Sequence, residues 1–142
     1  MIIPVSQENE KAWADLCFAL WPDTHTPDSF IQERRNGGFE NEFLFSVSDE
    51  AVAFISLSLR HDYVEGTDSS PVGYLEGIYI KPEYRKQGIA RRLVEFGKTW
   101  SIDKGCTEFA SDCLIENDDS RKFHKKVGFK EVNVCVHFKM TL

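Results

Sequence analysis

The sequence predicts an α/β fold of the α+β kind, in which helices flank a mixed, mostly antiparallel sheet. Three observations support it: helical spacing near the start of the chain, a hairpin pattern in the middle, and a strand–turn–helix–strand unit after the hairpin. The expected order of elements is β-α-α-β-β-β-α-β-α-β-β. A chain of 142 residues fits one domain, so a single domain over residues 1–142 is expected.

The first elements are a short apolar strand at residues 2–5 and two helices. Ser6 is the expected N-cap of the first helix, which Pro22 ends. One face of this helix is apolar and consists of Ala12, Trp13, Leu16, Cys17 and Leu20. Thr26 followed by Pro27 predicts the start of a second helix, and Gly37 predicts its end.

The middle of the chain predicts an antiparallel hairpin, with strands at 42–48 and 51–60. The second strand alternates, and its expected inward residues are Ala51, Ala53, Ile55, Leu57 and Leu59. A polar loop at 61–73 is long enough to carry function, and a strand at 74–81 follows.

From Ile89 the apolar spacing becomes helical until Gly105. A strand at 106–112 follows, and Asn117 is the expected cap of a last helix that ends before Gly128. Two short strands at 129–132 and 135–141 complete the prediction.

The charge balance narrows the class of partner. Seventeen Lys and Arg residues against 23 Asp and Glu residues give a net charge of −6, which disfavours nucleic acid and anionic membranes and suits a cationic ligand. The chain shows neither a membrane-spanning run nor a secretory signal, so a cytoplasmic location is expected. The four cysteines lie far apart without metal-ligand spacing, which predicts free, buried thiols and no metal.

Residues 85–90 (Arg-Lys-Gln-Gly-Ile-Ala) form the turn of the strand–turn–helix–strand unit. Small residues at Gly88 and Ala90 allow backbone N–H groups to face outward at a helix start, where they and the helix dipole bind pyrophosphate. Basic side chains at Arg85, Lys86 and Arg91 surround this point. The alternative is an ordinary turn whose basic residues are solvated.

This turn resembles the acetyl-CoA site of the GCN5-related N-acetyltransferase (GNAT) family, and the element order resembles that fold along nearly the whole chain. Five further segments are similar to the aminoglycoside 6'-N-acetyltransferases within that family: residues 20–22, 60–64, 69–72, 75–78 and 110–112. The resemblance implies transfer of acetyl from acetyl-CoA to the 6'-amino group of an aminoglycoside in a ternary complex. It also implies a homodimer.

The resemblance also implies which residues contact the cosubstrate. The backbone N–H of Ile78 would polarise the thioester carbonyl, as a catalytic group, and the pantetheine arm would run along Ile78, Tyr79 and Ile80. The pyrophosphate would lie on the turn residues Lys86, Gln87, Gly88, Ile89, Ala90 and Arg91. Asn117 would reach the pantetheine arm, or act only as a helix cap.

A polycationic acceptor requires carboxylates, with aromatic faces adding cation–π attraction. Glu76 and Asp112 are the candidates because both lie in apolar strands, although each could instead be a structural ion pair. Trp21 and Tyr63 are expected as cleft walls, with core packing and a loop anchor as alternatives. His25 is a third candidate, since related enzymes have a histidine near this point.

Glu76 is the expected catalytic base, directly or through a water, and Asp112 is expected to hold neighbouring amines. Many family members carry a tyrosine as the acid for the thiolate where this chain has His124. His124 is expected either to act as the acid or to be a surface residue with no part in the reaction. Acetylation of Cys113 is disfavoured because no histidine partner is apparent nearby. Two further functions stay open: acetylation of a polyamine or protein amine, and coenzyme A binding without catalysis.

Overall fold

The computed structural model describes residues 1–142, and its elements follow the expected order as far as the last helix. The fold class is therefore confirmed. The strands are β1 (Ile2–Pro4), β2 (Asn41–Val47), β3 (Glu50–Arg60), β4 (Val72–Ile80) and β5 (Phe109–Ser111). The helices are α1 (Glu10–Leu20), α2 (Pro27–Arg35), α3 (Ile89–Asp103) and α4 (Asp118–Lys126), and one short 3-10 turn lies at Pro82–Tyr84.

The five strands form one sheet in the order β1-β2-β3-β4-β5, in which only the β4–β5 pair is parallel. Each face of the sheet is covered by helices. A cluster containing Trp13, Phe30 and Phe54 packs α1 and α2 against one face, whereas Leu93 and Val94 of α3 pack against the other. The site is built around β4, which lies between these two layers of helices.

Two helix starts test the expected caps. Thr26 caps α2 as predicted, because its Oγ1 accepts a hydrogen bond from the Ser29 N–H at 3.2 Å and Ser29 Oγ accepts one from the Thr26 N–H at 2.8 Å. The prediction for Ser6 was wrong: α1 begins after Asn9, whose Oδ1 accepts the Ser6 N–H at 2.8 Å. Asn9 therefore closes the turn before the helix.

A β-bulge changes the predicted pattern of β3. The register shifts between Phe45 and Ser46, so Val52 and Ala53 both join the α3-side cluster while Ala51 packs on the α1 side. The expected common face for Ala51 and Ala53 was wrong for this reason. A bulge adds one residue to one strand and breaks the alternation of side chains.

The end of the chain differs most from expectation. Strand β5 covers only Phe109–Ser111, shorter than the expected 106–112, and neither strand expected after Gly128 forms. Residues 130–142, which we call the C-terminal arm, make no backbone–backbone hydrogen bond with the rest of the chain. A strand needs a neighbouring strand to satisfy its N–H and C=O groups, and this chain does not supply one there.

The four cysteines are free, but not all are buried as expected. Cys17 and Cys106 are buried, Cys113 is partly exposed and Cys135 is exposed. None of the helices has the length and apolar character needed to cross a membrane.

Candidate active site

The site begins where β4 and β5 separate. Their parallel pairing covers Gly73 to Leu75 on β4 and ends at the Leu75–Ser111 pair, whereas β4 itself continues to Ile80. The second half of β4 therefore has β3 on one side and no strand on the other. An open strand edge of this kind offers backbone donors and acceptors to a ligand.

A bulge in β4 decides which groups face that opening. Ser56 pairs with Gly77 and Leu57 with Leu75, so Glu76 is the extra residue. The Lys81 N–H donates a hydrogen bond to the Val52 carbonyl of β3. The backbone groups of successive residues in a strand face opposite sides, so those of Tyr79 also face β3, while those of Ile78 and Ile80 face the opening. Of the three residues expected along the pantetheine arm, only Ile78 and Ile80 thus present backbone groups to the opening.

The turn before α3 has the expected outward amides. Gly88 adopts a left-handed conformation with φ +81°, and Lys86, at φ +61°, does the same. No carbonyl accepts the N–H groups of Lys86, Gln87 or Gly88, and those of Ile89 to Arg91 belong to the first helical turn, which has no intrahelical acceptor. This run of free donors is suited to an anion.

Several basic side chains near the turn already have protein partners. Arg85 donates from Nε to the Ile80 carbonyl at 2.8 Å, and Arg91 donates to the Lys126 carbonyl at 3.0 Å. The Arg92 guanidinium lies 4.8 Å from the centre of the Phe45 ring. Lys86 has neither a hydrogen bond nor an ion pair, so its ammonium is the one most available to a phosphate.

An acceptor cleft of about 670 Å³ opens on the α1–α2 side of the sheet. Trp21 and His25 line it as expected, together with Glu76, Glu42 and Ser56. The Trp21 ring lies over Gly77, where a methyl group would collide with it. The glycine at this position therefore allows the Trp21 ring to pack directly against the part of β4 that no longer pairs with β5.

Glu76 lies in this cleft but is not a free carboxylate. Arg60 donates from Nη2 to Oε1 at 2.6 Å and to Oε2 at 2.9 Å, and Ser58 donates to Oε2 at 2.9 Å. The sequence reasoning missed Arg60. Ser58, Arg60 and Glu76 project from one face of the sheet, and strand alternation within β3 was the signal that could have paired Arg60 with Ser58.

Asp112 lies at the end of β5 and accepts a short hydrogen bond from the Tyr74 hydroxyl. The Arg60 guanidinium stacks 3.5 Å from the centre of the Tyr74 ring, which links Asp112 to Glu76 through two side chains. Burial, followed by the Asp112 hydrogen bond, raises the pKa of Tyr74 above its usual value. Asp112 is not among the residues that line the cleft.

Glu42 is a second residue that the sequence reasoning missed. It lies on β2 opposite Ser56, and its side chain is buried at 3% exposure. Trp13 donates from Nε1 to its Oε1 at 2.9 Å, and burial raises the pKa of Glu42 to about 7. An acid within an apolar strand was the signal that selected Glu76, and the same signal applies to Glu42.

Comparisons with known proteins identify the family. The model of the acetyltransferase (GNAT) family matches residues 7–129. The chain belongs to the GNAT family. An aminoglycoside N(6')-acetyltransferase type 1 of Serratia marcescens is 40% identical, with 100% of this chain and 99% of that protein covered.

Solved structures agree with the GNAT assignment. A crystal structure of an aminoglycoside antibiotic 6'-N-acetyltransferase from Acinetobacter haemolyticus is 34% identical with a TM-score of 0.91, and the match covers 100% of this chain and 99% of that one. A structure of the enzyme AAC(6')-Iy, in complex with the bisubstrate analogue CoA-S-monomethyl-acetylneamine, is 32% identical with a TM-score of 0.90 over 100% of this chain and 98% of that one. The structural matches thus extend over the C-terminal arm, whereas the family model ends at residue 129.

Three further candidate residues of this GNAT chain lie outside the cleft. Tyr63 is 76% exposed in its loop and does not line the cleft. Asn117 caps α4, its Oδ1 accepting the Ser120 N–H at 3.1 Å, so contact with the pantetheine arm stays a prediction. Cys113 is free and partly exposed, with no hydrogen bond to a histidine.

His124 lies at the point where β4 and β5 separate, not on an outer surface. Its Nδ1–H donates to the Ser120 carbonyl at 2.7 Å, and its Nε2 lies 2.8 Å from Ser111 Oγ. Ser111 in turn contacts the Leu75 carbonyl at 3.1 Å. Both ring nitrogens are therefore engaged, Nδ1 within α4 and Nε2 in holding α4 against β5. No group of His, Cys, Asp and Glu residues is arranged to hold a metal ion.

Proposed function

We propose that this protein transfers the acetyl group of acetyl-CoA to the 6'-amino group of an aminoglycoside antibiotic, by direct attack in a ternary complex. One structural observation carries the proposal. The bulge at Glu76 sets the open backbone edge at Ile78 directly beside an acidic, aromatic cleft. A thioester held at that edge and an amine held in that cleft would meet. The names of the relatives support the same reaction.

The cosubstrate would bind along the α3 side of the opening. The free amides from Lys86 to Arg91 would hold the pyrophosphate, since such donors at a helix start attract anions. The pantetheine arm would lie against the backbone of Ile78 and Ile80, and the Ile78 N–H would donate to the thioester oxygen. That hydrogen bond strengthens as the oxygen gains charge in the tetrahedral intermediate, which is how an oxyanion donor lowers a barrier.

The acceptor would bind from the α1–α2 side. Glu76 would accept the proton of the attacking amine, directly or through a water, while Asp112 would hold a neighbouring ammonium. The ion pair with Arg60 fixes the Glu76 carboxylate in place and occupies both of its oxygens, which favours the route through a water. Trp21 would supply an aromatic wall, with His25 beside it and Tyr63 closing from the loop.

A steady-state assay tests the proposed function. Acetyl-CoA turnover is measured with tobramycin, with an analogue that lacks the 6'-amine, with spermidine and with a lysine peptide. We expect turnover with tobramycin alone, and mass spectrometry should place the acetyl group on the 6'-nitrogen. Equal activity on tobramycin and the analogue would contradict the 6' assignment, and activity on spermidine or peptide only would favour another acceptor class.

We also propose that the enzyme acts in the cytoplasm, where acetyl-CoA is available, and as a homodimer. The support for a dimer is the C-terminal arm, which alternates apolar and polar residues. Its apolar side chains are between 64% and 110% exposed: Val132, Val134, Val136, Phe138, Met140 and Leu142. A second copy of the chain, with its own arm and its own short β5, would supply the strand neighbour that one chain lacks.

A further inference from the structure

Glu42 is the most deeply buried acid of the cleft, and only one of its two oxygens has a partner. Trp13 binds Oε1, whereas Oε2 is buried without any hydrogen bond. An unpaired buried carboxylate oxygen costs free energy, and the cost rises steeply if the group is charged. Such a group is expected to have a partner in one functional state of the protein.

The charges around Glu42 leave it without a cation in the empty cleft. From β4 the Glu76 carboxylate repels its charge, and from α1 the Cys17 thiol faces it without contributing a positive charge. From α2 the Arg34 guanidinium attracts it only weakly, because Arg34 is paired with Glu10 at 2.9 Å. Arg60 is likewise occupied by Glu76. From β3 the Ser56 hydroxyl favours the ionised form but supplies no positive charge, so no side chain is free to neutralise that form.

The position of Glu42 suits a second contact with an acceptor. Glu42 pairs with Ser56, and Ser56 pairs with Gly77, so the three residues form one row across β2, β3 and β4. Two strand spacings separate Glu42 from β4, about 10 Å. An acceptor with one amine near Ile78 and another on Glu42 must therefore carry at least two amines on a scaffold of that size.

We propose that Glu42 is a specificity-determining residue that ionises when a polycationic acceptor binds, so that Oε2 accepts a hydrogen bond from an ammonium group other than the one acetylated. The carboxyl proton leaves to the solvent in this step, and no bond of the acceptor changes. This inference deepens the proposed function and rests on it for the identity of the acceptor. The group recognised is an alkylammonium of a polyamine-like sugar.

The main test compares Glu42→Gln with Glu33→Gln. Gln at 42 keeps an oxygen for the Trp13 hydrogen bond, whereas Glu33 is exposed on α2 and its replacement removes the same charge outside the cleft. We expect Glu42→Gln to raise KM for neamine about tenfold, the scale of one charge-assisted hydrogen bond, and to leave KM for acetyl-CoA unchanged. Glu33→Gln should leave both unchanged. Equal KM values for the two variants would overturn the proposal.

Calorimetry gives a measurement, the number of protons released on binding, that would not change if Glu42 had only a structural role. Neamine binding is measured near pH 7 in two buffers of different ionisation enthalpy, which gives the number of protons released. Wild-type protein should release more protons than Glu42→Gln, by about half a proton, because the carboxyl group is close to half protonated before binding. An unchanged proton count would overturn the proposal even if KM changed.

A second variant protects the test against misfolding. If Glu42→Gln does not fold, Glu42→Asp keeps the acid but draws it back from the cleft, so proton release should remain while KM rises. An unchanged KM for neamine, or the loss of proton release, would contradict the proposal. A failure of the proposed function would look different. If wild-type protein binds neamine but does not acetylate it, the proposed function is wrong, and the number of protons released still tests the role of Glu42. Wild-type protein that binds no polyamine would remove both.

Discussion

Arg60 and Glu76 form a two-point ion pair at the bulge of β4, with the guanidinium Nη2 at 2.6 and 2.9 Å from the two carboxylate oxygens. The pair determines where a proton could go in the reaction. A carboxylate whose two oxygens both accept from one guanidinium is held in a single orientation, so it is suited to positioning a water or an ammonium. The same guanidinium stacks on Tyr74, which holds Asp112.

Glu76→Gln should lower kcat/KM for an aminoglycoside by about 10- to 100-fold at neutral pH, the lower part of the range for general base catalysis. KM for acetyl-CoA should stay the same, since the carboxylate faces the acceptor cleft. Glu50→Gln is the matched control, because Glu50 also sits in a strand ion pair, with Lys81 at 2.8 Å, but outside that cleft. Unchanged kcat/KM in Glu76→Gln would remove this residue from the mechanism.

Gly88→Ala should raise KM for acetyl-CoA while kcat for bound substrates changes little. Gly88 has φ +81° with open space around it, so a methyl group meets no atom and the cost is backbone strain of about 1 kcal/mol. Relief of that strain would turn the amides away from the pyrophosphate. Steady-state kinetics at fixed acceptor measures the change.

Gly37→Ala controls for stability in that experiment. Gly37 also has a left-handed φ, +98°, with open space around it, and it lies after α2, away from the turn. Both variants should lose a similar free energy of unfolding, and only Gly88→Ala should change KM. An equal rise in KM for both would mean that the turn does not bind the cosubstrate.

Local chemistry was what the sequence predicted well. The Thr26 cap, the Gly88 turn and the Asn117 cap each depend on a few neighbouring residues, and each appears as expected. Trp21, His25 and Glu76 were also brought into one cleft. The two caps and the Gly88 turn carry strong local signals, because turns and caps need particular residue types.

Relationships between distant segments were what the sequence could not give. The Arg60–Glu76 pair depends on a one-residue bulge, which single-residue patterns do not reveal. Glu42 carries the same sequence signal as Glu76, but its hydrogen bond with Trp13 joins residues 29 positions apart and does not follow from that signal. The two strands expected after Gly128 do not form, because a strand needs a neighbouring strand and the local sequence does not show whether the same chain supplies one.

Glu42 should make the stability of the protein depend on pH. Its pKa is raised to about 7 in the folded protein from 4.5, so the folded state holds the proton more tightly than the unfolded state. Stability is therefore highest below about pH 4.5 as far as this group is concerned, and it falls as pH rises to about 7, by on the order of 3 kcal/mol.

Urea denaturation at pH 5 and pH 8 measures that change. The fall in the free energy of unfolding between the two pH values should be larger for wild-type protein than for Glu42→Gln, which has no proton to lose. Glu33→Gln should behave as wild type. The same fall in Glu42→Gln would assign the effect to another group.

Phe138→Asp should dissociate the proposed dimer. Phe138 is 92% exposed in the single chain and lies on the apolar side of the C-terminal arm, so a charge there opposes burial against a second copy. His137→Asp introduces the same residue on the other side of the arm. Light scattering should give twice the chain mass for wild type and His137→Asp and one chain mass for Phe138→Asp. A wild-type protein that is monomeric at micromolar concentration would contradict the dimer.

His124→Ala should destabilise the protein without removing its activity. The ring bonds the Ser120 carbonyl within α4 and Ser111 Oγ on β5, so its loss removes one hydrogen bond inside the helix and one between the helix and the strand, about 1–2 kcal/mol of unfolding free energy. The departing thiolate of coenzyme A is stable enough to leave without an acid, so kcat should stay within about twofold.

Lys122→Ala, an exposed substitution on α4, should change neither the stability nor kcat. The opposite result, a stable His124→Ala variant whose kcat falls by about 100-fold, would make the histidine the proton donor in place of the tyrosine found in many relatives. The hydrogen bonds argue against that result. With Nδ1 at the Ser120 carbonyl and Nε2 at Ser111 Oγ, neither ring nitrogen is free to reach a departing thiolate.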